Sequence, residues 1–130
     1  MKPRADFSLY LIADETHLEN FDSIIRKAVL GGVRAVQLRA KNLSIRQMVE
    51  EGIKLLHLLK PFRIPLLIND RVDVALAIGA DGVHLGQSDL DVRDARLLLG
   101  KNGLIGLSVE TLDQVVEANQ YEIDYVAASP

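Results

Sequence analysis

Short apolar runs alternate with longer amphipathic ones along the whole of the 130-residue chain. Ser8 to Asp14 is mostly apolar and rich in strand formers, the pattern of a parallel strand covered on both faces. After the polar turn Glu15 to Asn20, the apolar positions Phe21, Ile24, Ile25, Ala28 and Val29 recur at helical spacing, and Gly31-Gly32 supplies a left-handed stop. Ala35 to Ala40 alternates instead, with Val36 and Leu38 on one face and Gln37 and Arg39 on the other, because successive side chains of a strand point opposite ways. Lys41 continues the polar face. Ser44 then reads as the N-cap of a long helix whose stripe is Ile45, Met48, Val49, Ile53, Leu55, Leu56, Leu58 and Leu59, ending before Pro61.

The second half repeats the scheme. Pro65 opens a strand over Leu66 to Asp70, and a short helix from Arg71 carries Val72, Val74, Ala75, Leu76, Ala77 and Ile78 before Gly79. Gly82 to Gly86 is the fourth strand, followed by the loop Gln87 to Leu90 and a helix from Asp91 with Val92, Ala95, Leu98 and Leu99 toward the core. Leu104 to Val109 is the fifth strand, Thr111 caps a helix carrying Leu112, Val115, Val116 and Ala118, and Tyr125 to Ser129 begins the sixth.

Six strands in strict alternation with five helices predict an α/β fold with a parallel sheet, either doubly wound or curled into a barrel. No G-x-G-x-x-G fingerprint follows the first strand and no P-loop occurs, which lowers both common nucleotide-binding readings and favours the barrel. A (β/α)8 TIM barrel typically takes about 250 residues, so residues 1–130 are expected to form a single incomplete barrel domain with strands seven and eight absent. Such a sheet leaves two edges able to recruit other chains, and a homo-oligomer stays open.

The net charge of −3, with both signs scattered, offers no basic footprint for nucleic acid or a membrane surface. There is no Cys, which excludes disulfides and thiolate ligands, leaves oxygen or His donors for any metal, and is compatible with a cytoplasmic location. The first residues resemble neither a signal sequence nor a membrane span.

Three strand ends carry unlike polar groups, at the place where α/β folds keep their chemistry. Asp70 and Asp89 are hard carboxylates suited to Mg²⁺, though Asp at these positions also caps helices. Gln37, Arg39 and Lys41 share one strand face; inside a barrel Arg and Lys would meet anionic oxygens, whereas on an edge strand they would merely be solvated. Asn69, inward with Leu67, can offer a carbonyl and an amide to a heterocycle or serve a turn. Ser108 can donate to a phosphate or ring nitrogen or act as an ordinary loop hydroxyl. His84 reads as a packed, hydrogen-bonded histidine, and His17 and His57 as surface residues. No Ser/His/Asp arrangement or spaced acid pair indicates acyl transfer or glycoside hydrolysis.

Taken together, Val36-Gln-Leu-Arg-Ala-Lys41, Leu67-Ile-Asn-Asp-Arg-Val-Asp-Val-Ala75, Gly82-Val-His-Leu-Gly-Gln-Ser-Asp89, Ile105-Gly-Leu-Ser-Val-Glu110 and Asp124-Tyr-Val-Ala-Ala-Ser-Pro130 resemble the thiamine phosphate synthase family, in order and through all 130 residues. The resemblance implies a TIM barrel and a transferase of thiamine biosynthesis that condenses hydroxymethylpyrimidine diphosphate with hydroxyethylthiazole phosphate to thiamine phosphate and diphosphate. It further implies Gln37, Arg39, Lys41, Asn69 and Ser108 at the pyrimidine diphosphate, and Asp70 and Asp89 as Mg²⁺ ligands. The family's Thr- and Lys-containing loop after strand six and its thiazole phosphate site lie in segments this sequence lacks, so the isolated chain is expected not to catalyse the coupling. Ser88 replaces an acid common in relatives, beside an Asp89 that is retained. The rival readings are a thiazole tautomerase-like enzyme, disfavoured by retention of both acids, and a non-catalytic remnant that binds a pyrimidine phosphate.

Overall fold

The structure, a computed structural model, describes residues 4–129. Its strands are β1 (Tyr10–Asp14), β2 (Ala35–Arg39), β3 (Leu66–Asn69), β4 (Gly82–Leu85), β5 (Leu104–Val109) and β6 (Tyr125–Ala128). Between them lie the helices α1 (Phe21–Leu30), α2 (Ile45–Leu59), α3 (Val72–Ile78), α4 (Val92–Leu99) and α5 (Leu112–Ala118). All neighbouring strands pair in parallel, in the order β1-β2-β3-β4-β5-β6. The sheet curls far enough for side chains of its first and last strands to meet, the Tyr10 and Tyr125 hydroxyls lying 2.8 Å apart. It is an α/β half-barrel with the helices outside.

Alternation sorts the side chains. Ala13, Val36, Leu38, Leu66, Ile68, Val83, Leu85, Ile105 and Leu107 point outward into one apolar layer with Ile25, Leu55, Leu59, Val74 and Ala95 of the helices. Burial of this layer supplies most of the driving force for folding. The register Ile12↔Gln37, Gln37↔Leu67 and Asn69↔His84 turns the other set inward. β2 lies between β1 and β3, so the solvated-edge alternative for Gln37 and Arg39 does not hold.

Local signals explain the helix ends. Ser44 and Gln47 form a reciprocal capping box at the start of α2. Thr111 accepts from Gln114 N at the start of α5, and Gly79, in the left-handed region at φ 70°, closes α3. The turn Glu15–Asn20 is a 3₁₀ helix with a capping box of its own, in which the Asp14 side chain accepts from the backbone and His17 Nδ1 accepts from Asp14 N.

Several expectations fail, most of them at the open edges of the sheet, although Ile45 and Ile53 on α2 and Leu76 on α3 are exposed too. β1 starts at Tyr10 rather than Ser8, and Ile12 is 42% exposed, because an edge strand of an unclosed sheet has no partner across the interior. Leu98 on α4 is exposed, as are Leu112, Val115 and Val116 on α5, where only Ala118 is buried. Among the described residues α5 and β6 stand at the edge of the sheet, where fewer neighbouring elements cover an apolar helix face.

A Cβ placed on Gly82 would lie 2.0 Å from the carbonyl oxygen of Leu104, main chain that cannot yield without parting β4 from β5. Gly82→Ala is expected to destabilise the fold by about 1–3 kcal/mol or more, read as a lower urea midpoint at unchanged slope.

Candidate active site at the carboxyl ends of the strands

The inward side chains and the loops above them line a cavity of about 910 Å³ that contains every residue singled out above: Gln37, Arg39, Lys41, Asn69, Asp70, Asp89 and Ser108. A larger hollow of about 1130 Å³ lies at the opposite, amino ends of the strands, around Pro65, Asp81 and Leu104. The smaller cavity is the better candidate, because strand carboxyl ends are where parallel α/β folds gather loops and unpaired polar groups.

At the mouth, Lys41 Nζ donates to Asp70 Oδ2 at 2.8 Å, joining the end of β2 to that of β3. The Asp70 and Asp89 carboxyls line the same cavity and lie close enough for each to perturb the other's ionisation. Burial works to raise both carboxyls. In Asp70 the Lys41 ammonium and the interaction with Asp89 outweigh it and hold the group below the usual carboxylate range; Asp89, penalised by burial and by the neighbouring charge, is pushed up.

Neither acid is a helix cap. Arg71 occupies the N-cap position of α3 and makes no side-chain cap bond, while Asp91 caps α4 by accepting from Arg93 N. Asp70 instead adopts the left-handed conformation at φ 66°, and its N–H donates to His84 O at 2.8 Å. Asp89 Oδ2 accepts from Gly86 N at 2.8 Å, which pins its loop to the end of β4. Asp70 and Asp89 are two carboxylates of this cavity that could hold a metal, and among the described residues no group of three or more His, Asp or Glu converges. That suits Mg²⁺, which takes one or two protein carboxylates and completes its octahedron with water and phosphate oxygens.

Below the mouth the wall is polar and buried. The Gln37 and Asn69 amides hydrogen-bond at 2.9 Å, and the Gln37 amide lies 3.1 Å from the Tyr10 hydroxyl. His84 bridges Tyr125, 2.7 Å from Nδ1, and Ser108, 2.8 Å from Nε2, as expected of a packed and satisfied histidine. Asn69, His84, Gly106 and Tyr125 are successive register partners across four strands. Gly106 leaves room in that row: a Cβ there would come within 2.0 Å of the Tyr125 ring, which needs the space to reach back to His84. Arg39 is exposed at the mouth, and Gln87 Nε2 donates to Ser108 O at 2.9 Å. The tyrosines are what the sequence reading missed. Tyr10 stands two residues before Ile12, and so on the inward face, and Tyr125 opens the last strand; inward aromatic hydroxyls beside inward amides were the available signal.

These features define a parallel α/β half-barrel whose mouth carries Arg39, Lys41 and the carboxylates of Asp70 and Asp89. The sequence matches the family described as thiamine monophosphate synthase (TMP-TENI) over residues 9–130, and the chain belongs to that family. It is 46% identical over 125 residues to a thiamine-phosphate synthase of Persephonella marina, covering 95% of this chain and 60% of that one. The corresponding protein of Vibrio parahaemolyticus is 48% identical over 124 residues, covering 95% and 61%. The structure of a thiamine phosphate pyrophosphorylase from Pyrococcus furiosus superposes with a TM-score of 0.85 at 37% identity, covering 98% of this chain and 62% of that one. The chain thus spans about three fifths of the length of these relatives.

Burial lowers the pKa of His84 below its ordinary value of 6.5, and the charge of Asp70 offsets this only in part. The unfolded chain therefore binds the proton more readily, so His84 contributes stability that is present above about pH 6.5 and is lost as the pH falls through the folded value. Urea titrations between pH 8 and pH 5 are expected to show a midpoint falling with acid, with a shallower fall in His84→Gln.

Proposed function

We propose that the cavity binds hydroxymethylpyrimidine diphosphate and that the chain supplies this half of a thiamine phosphate synthase site. In that reaction the bond from the pyrimidine methylene carbon to the diphosphate oxygen breaks, and the thiazole nitrogen of hydroxyethylthiazole phosphate bonds to the same carbon. The observation that carries the reading is the stacking of two chemistries in one cavity, Lys41, Asp70 and Asp89 at the mouth above the buried amides of Gln37 and Asn69. Family membership supports it, and so does the likeness to the Pyrococcus furiosus structure over 98% of this chain; the half-barrel is read here as part of a (β/α)8 barrel.

Each residue has a role its chemistry suits. Gln37 and Asn69 offer donor and acceptor to the edge of the pyrimidine and hold it against the inner wall. Arg39 meets diphosphate oxygens with a planar fork and Lys41 meets them as a point charge. Ser108 closes the far side of the ring. Asp70 and Asp89 would hold Mg²⁺, which when bound supplies neutralisation of the departing diphosphate. No protein nucleophile is needed, so the chain's contribution is orientation and charge stabilisation. The paired acids favour this reading over metal-free tautomerisation of a thiazole, which has no use for them.

Titration calorimetry of the full chain with hydroxymethylpyrimidine diphosphate tests the reading. Binding is expected to tighten with Mg²⁺, and Asp70→Ala is expected to remove that gain, weakening affinity about tenfold or more, roughly 1.4 kcal/mol, only when the metal is present. Equal affinity with and without Mg²⁺ in the native chain would remove the metal from the site. Arg39→Lys is expected to weaken diphosphate binding in both conditions, since a fork is replaced by a point; unchanged affinity would place Arg39 outside the site.

A further inference from the structure

The hydroxyls, ring nitrogens and amides of the inner wall form one unbroken chain from Ser108 through His84, Tyr125, Tyr10 and Gln37 to Asn69. Such a chain has two self-consistent senses, because each hydroxyl can donate only once and a neutral imidazole carries one ring proton. If the Asn69 nitrogen donates to Gln37, the sense runs outward through Gln37, Tyr10 and Tyr125, His84 carries its proton on Nε2, and Ser108 accepts from it. The Asn69 oxygen then faces the Asp70 carboxylate. With the amide turned over, its nitrogen donates to Asp70 Oδ1 and Oδ2 at 3.2 and 3.1 Å, and its oxygen lies 2.9 Å from Gln37 Oε1, a contact that requires the Gln37 amide to turn as well.

We propose that Asp70 fixes the second sense, so that Ser108 spends its proton inside the wall and meets a ligand as a hydrogen-bond acceptor. The steps follow in order. Gln37 turns its amide to donate to Asn69 and presents its oxygen to Tyr10, Tyr10 donates to it, Tyr125 donates to Tyr10, and His84 donates from Nδ1 to Tyr125. Nε2 is left to accept the Ser108 proton. Burial disfavours the charged form of His84, which suits a relay through a ring carrying one proton. Tyr10, Tyr125 and His84 are then positioning residues: they carry the orientation set at the acid end of the cavity to the hydroxyl on its other side. The ligand facing Ser108 is one that offers N–H, such as an amino-substituted heterocycle, and not an anionic oxygen. That ligand assignment rests on the pyrimidine reading above, whereas the direction of the chain does not.

The test is nitrogen NMR of the histidine rings in the uniformly ¹⁵N-labelled full chain at pH 8, with His84 assigned among the three histidines by the His84→Gln variant. The native protein is expected to show the proton on Nδ1; a proton on Nε2 overturns the proposal without any variant. In Tyr10→Phe, Tyr125 loses its acceptor and is freed to donate to His84, so the proton is expected to move to Nε2. Tyr10 does not hydrogen-bond His84, so a merely local packing role would leave the tautomer unchanged, and an unchanged Nδ1 proton in this variant also overturns the proposal. Failure of hydroxymethylpyrimidine diphosphate to bind a native chain that shows the Nδ1 proton would sink the proposed function and leave the relay standing.

Discussion

The parallel register across the sheet is the constraint on which the cavity depends. Because side chains alternate with period two, the pairings Asn69↔His84, His84↔Gly106 and Gly106↔Tyr125 put four inward positions in one row, and Gln37 stands inward beside it through Gln37↔Leu67. A slip of one residue in β4 would send His84 into the apolar layer and Val83 into the cavity. The outward set enforces the register: Val36, Ile68, Val83 and Ile105 are fully buried beneath the helices, and none could be exchanged for a polar neighbour without burying an unpaired group. The site thus inherits its alignment from packing on the other side of the sheet.

A polar interior brings its own requirement. Among the described residues Gln37, Asn69 and His84 are the buried polar ones, and each would be costly if left without partners. No buried side-chain nitrogen or oxygen among the described residues lacks a hydrogen bond. The partners come from both sheet edges, Tyr10 on β1 and Tyr125 on β6, so the same hydroxyls that satisfy the amides also tie the first strand to the last. Curvature, side-chain satisfaction and the absence of a side chain at Gly106 are therefore one solution, since only a curled sheet with a gap in that row lets the tyrosines meet.

Much of this was legible in the sequence, for physical reasons that differ between residues. Strand and helix order follows from hydrophobic period, and alternation puts Gln37 and Arg39 on one face, but that this face is the interior follows only from the position of β2 between β1 and β3. The shared placement of Asp70 and Asp89 does not follow from period, because it depends on loop conformation: the left-handed backbone of Asp70 and the turn that returns Asp89 to Gly86 N carry no periodic signal. The tyrosine and histidine chain was legible only in part, since His84 could be read as satisfied while its partners lay 24 and 41 residues away. The exposed face of α5 ran against its pattern, because apolar spacing predicts which face can be buried and not whether neighbouring structure reaches it.

The backbone of Asp70 explains why the acid is available for chemistry at all. An Asp in extended conformation just before a helix ordinarily turns its carboxylate onto the first free N–H groups and is consumed as a cap. Here the left-handed turn at φ 66° places Arg71 in the cap position, and α3 starts without a side-chain cap. The carboxylate is freed to meet Lys41 in the cavity that Asp89 also lines, and its own N–H is held by His84 O. A sparsely populated backbone state and an uncapped helix are both departures from what stability alone favours, and they fall on the same residue. Fold stability gains nothing from that coincidence, whereas a carboxylate aimed into the cavity beside a cation and a second acid gains a position from which to act.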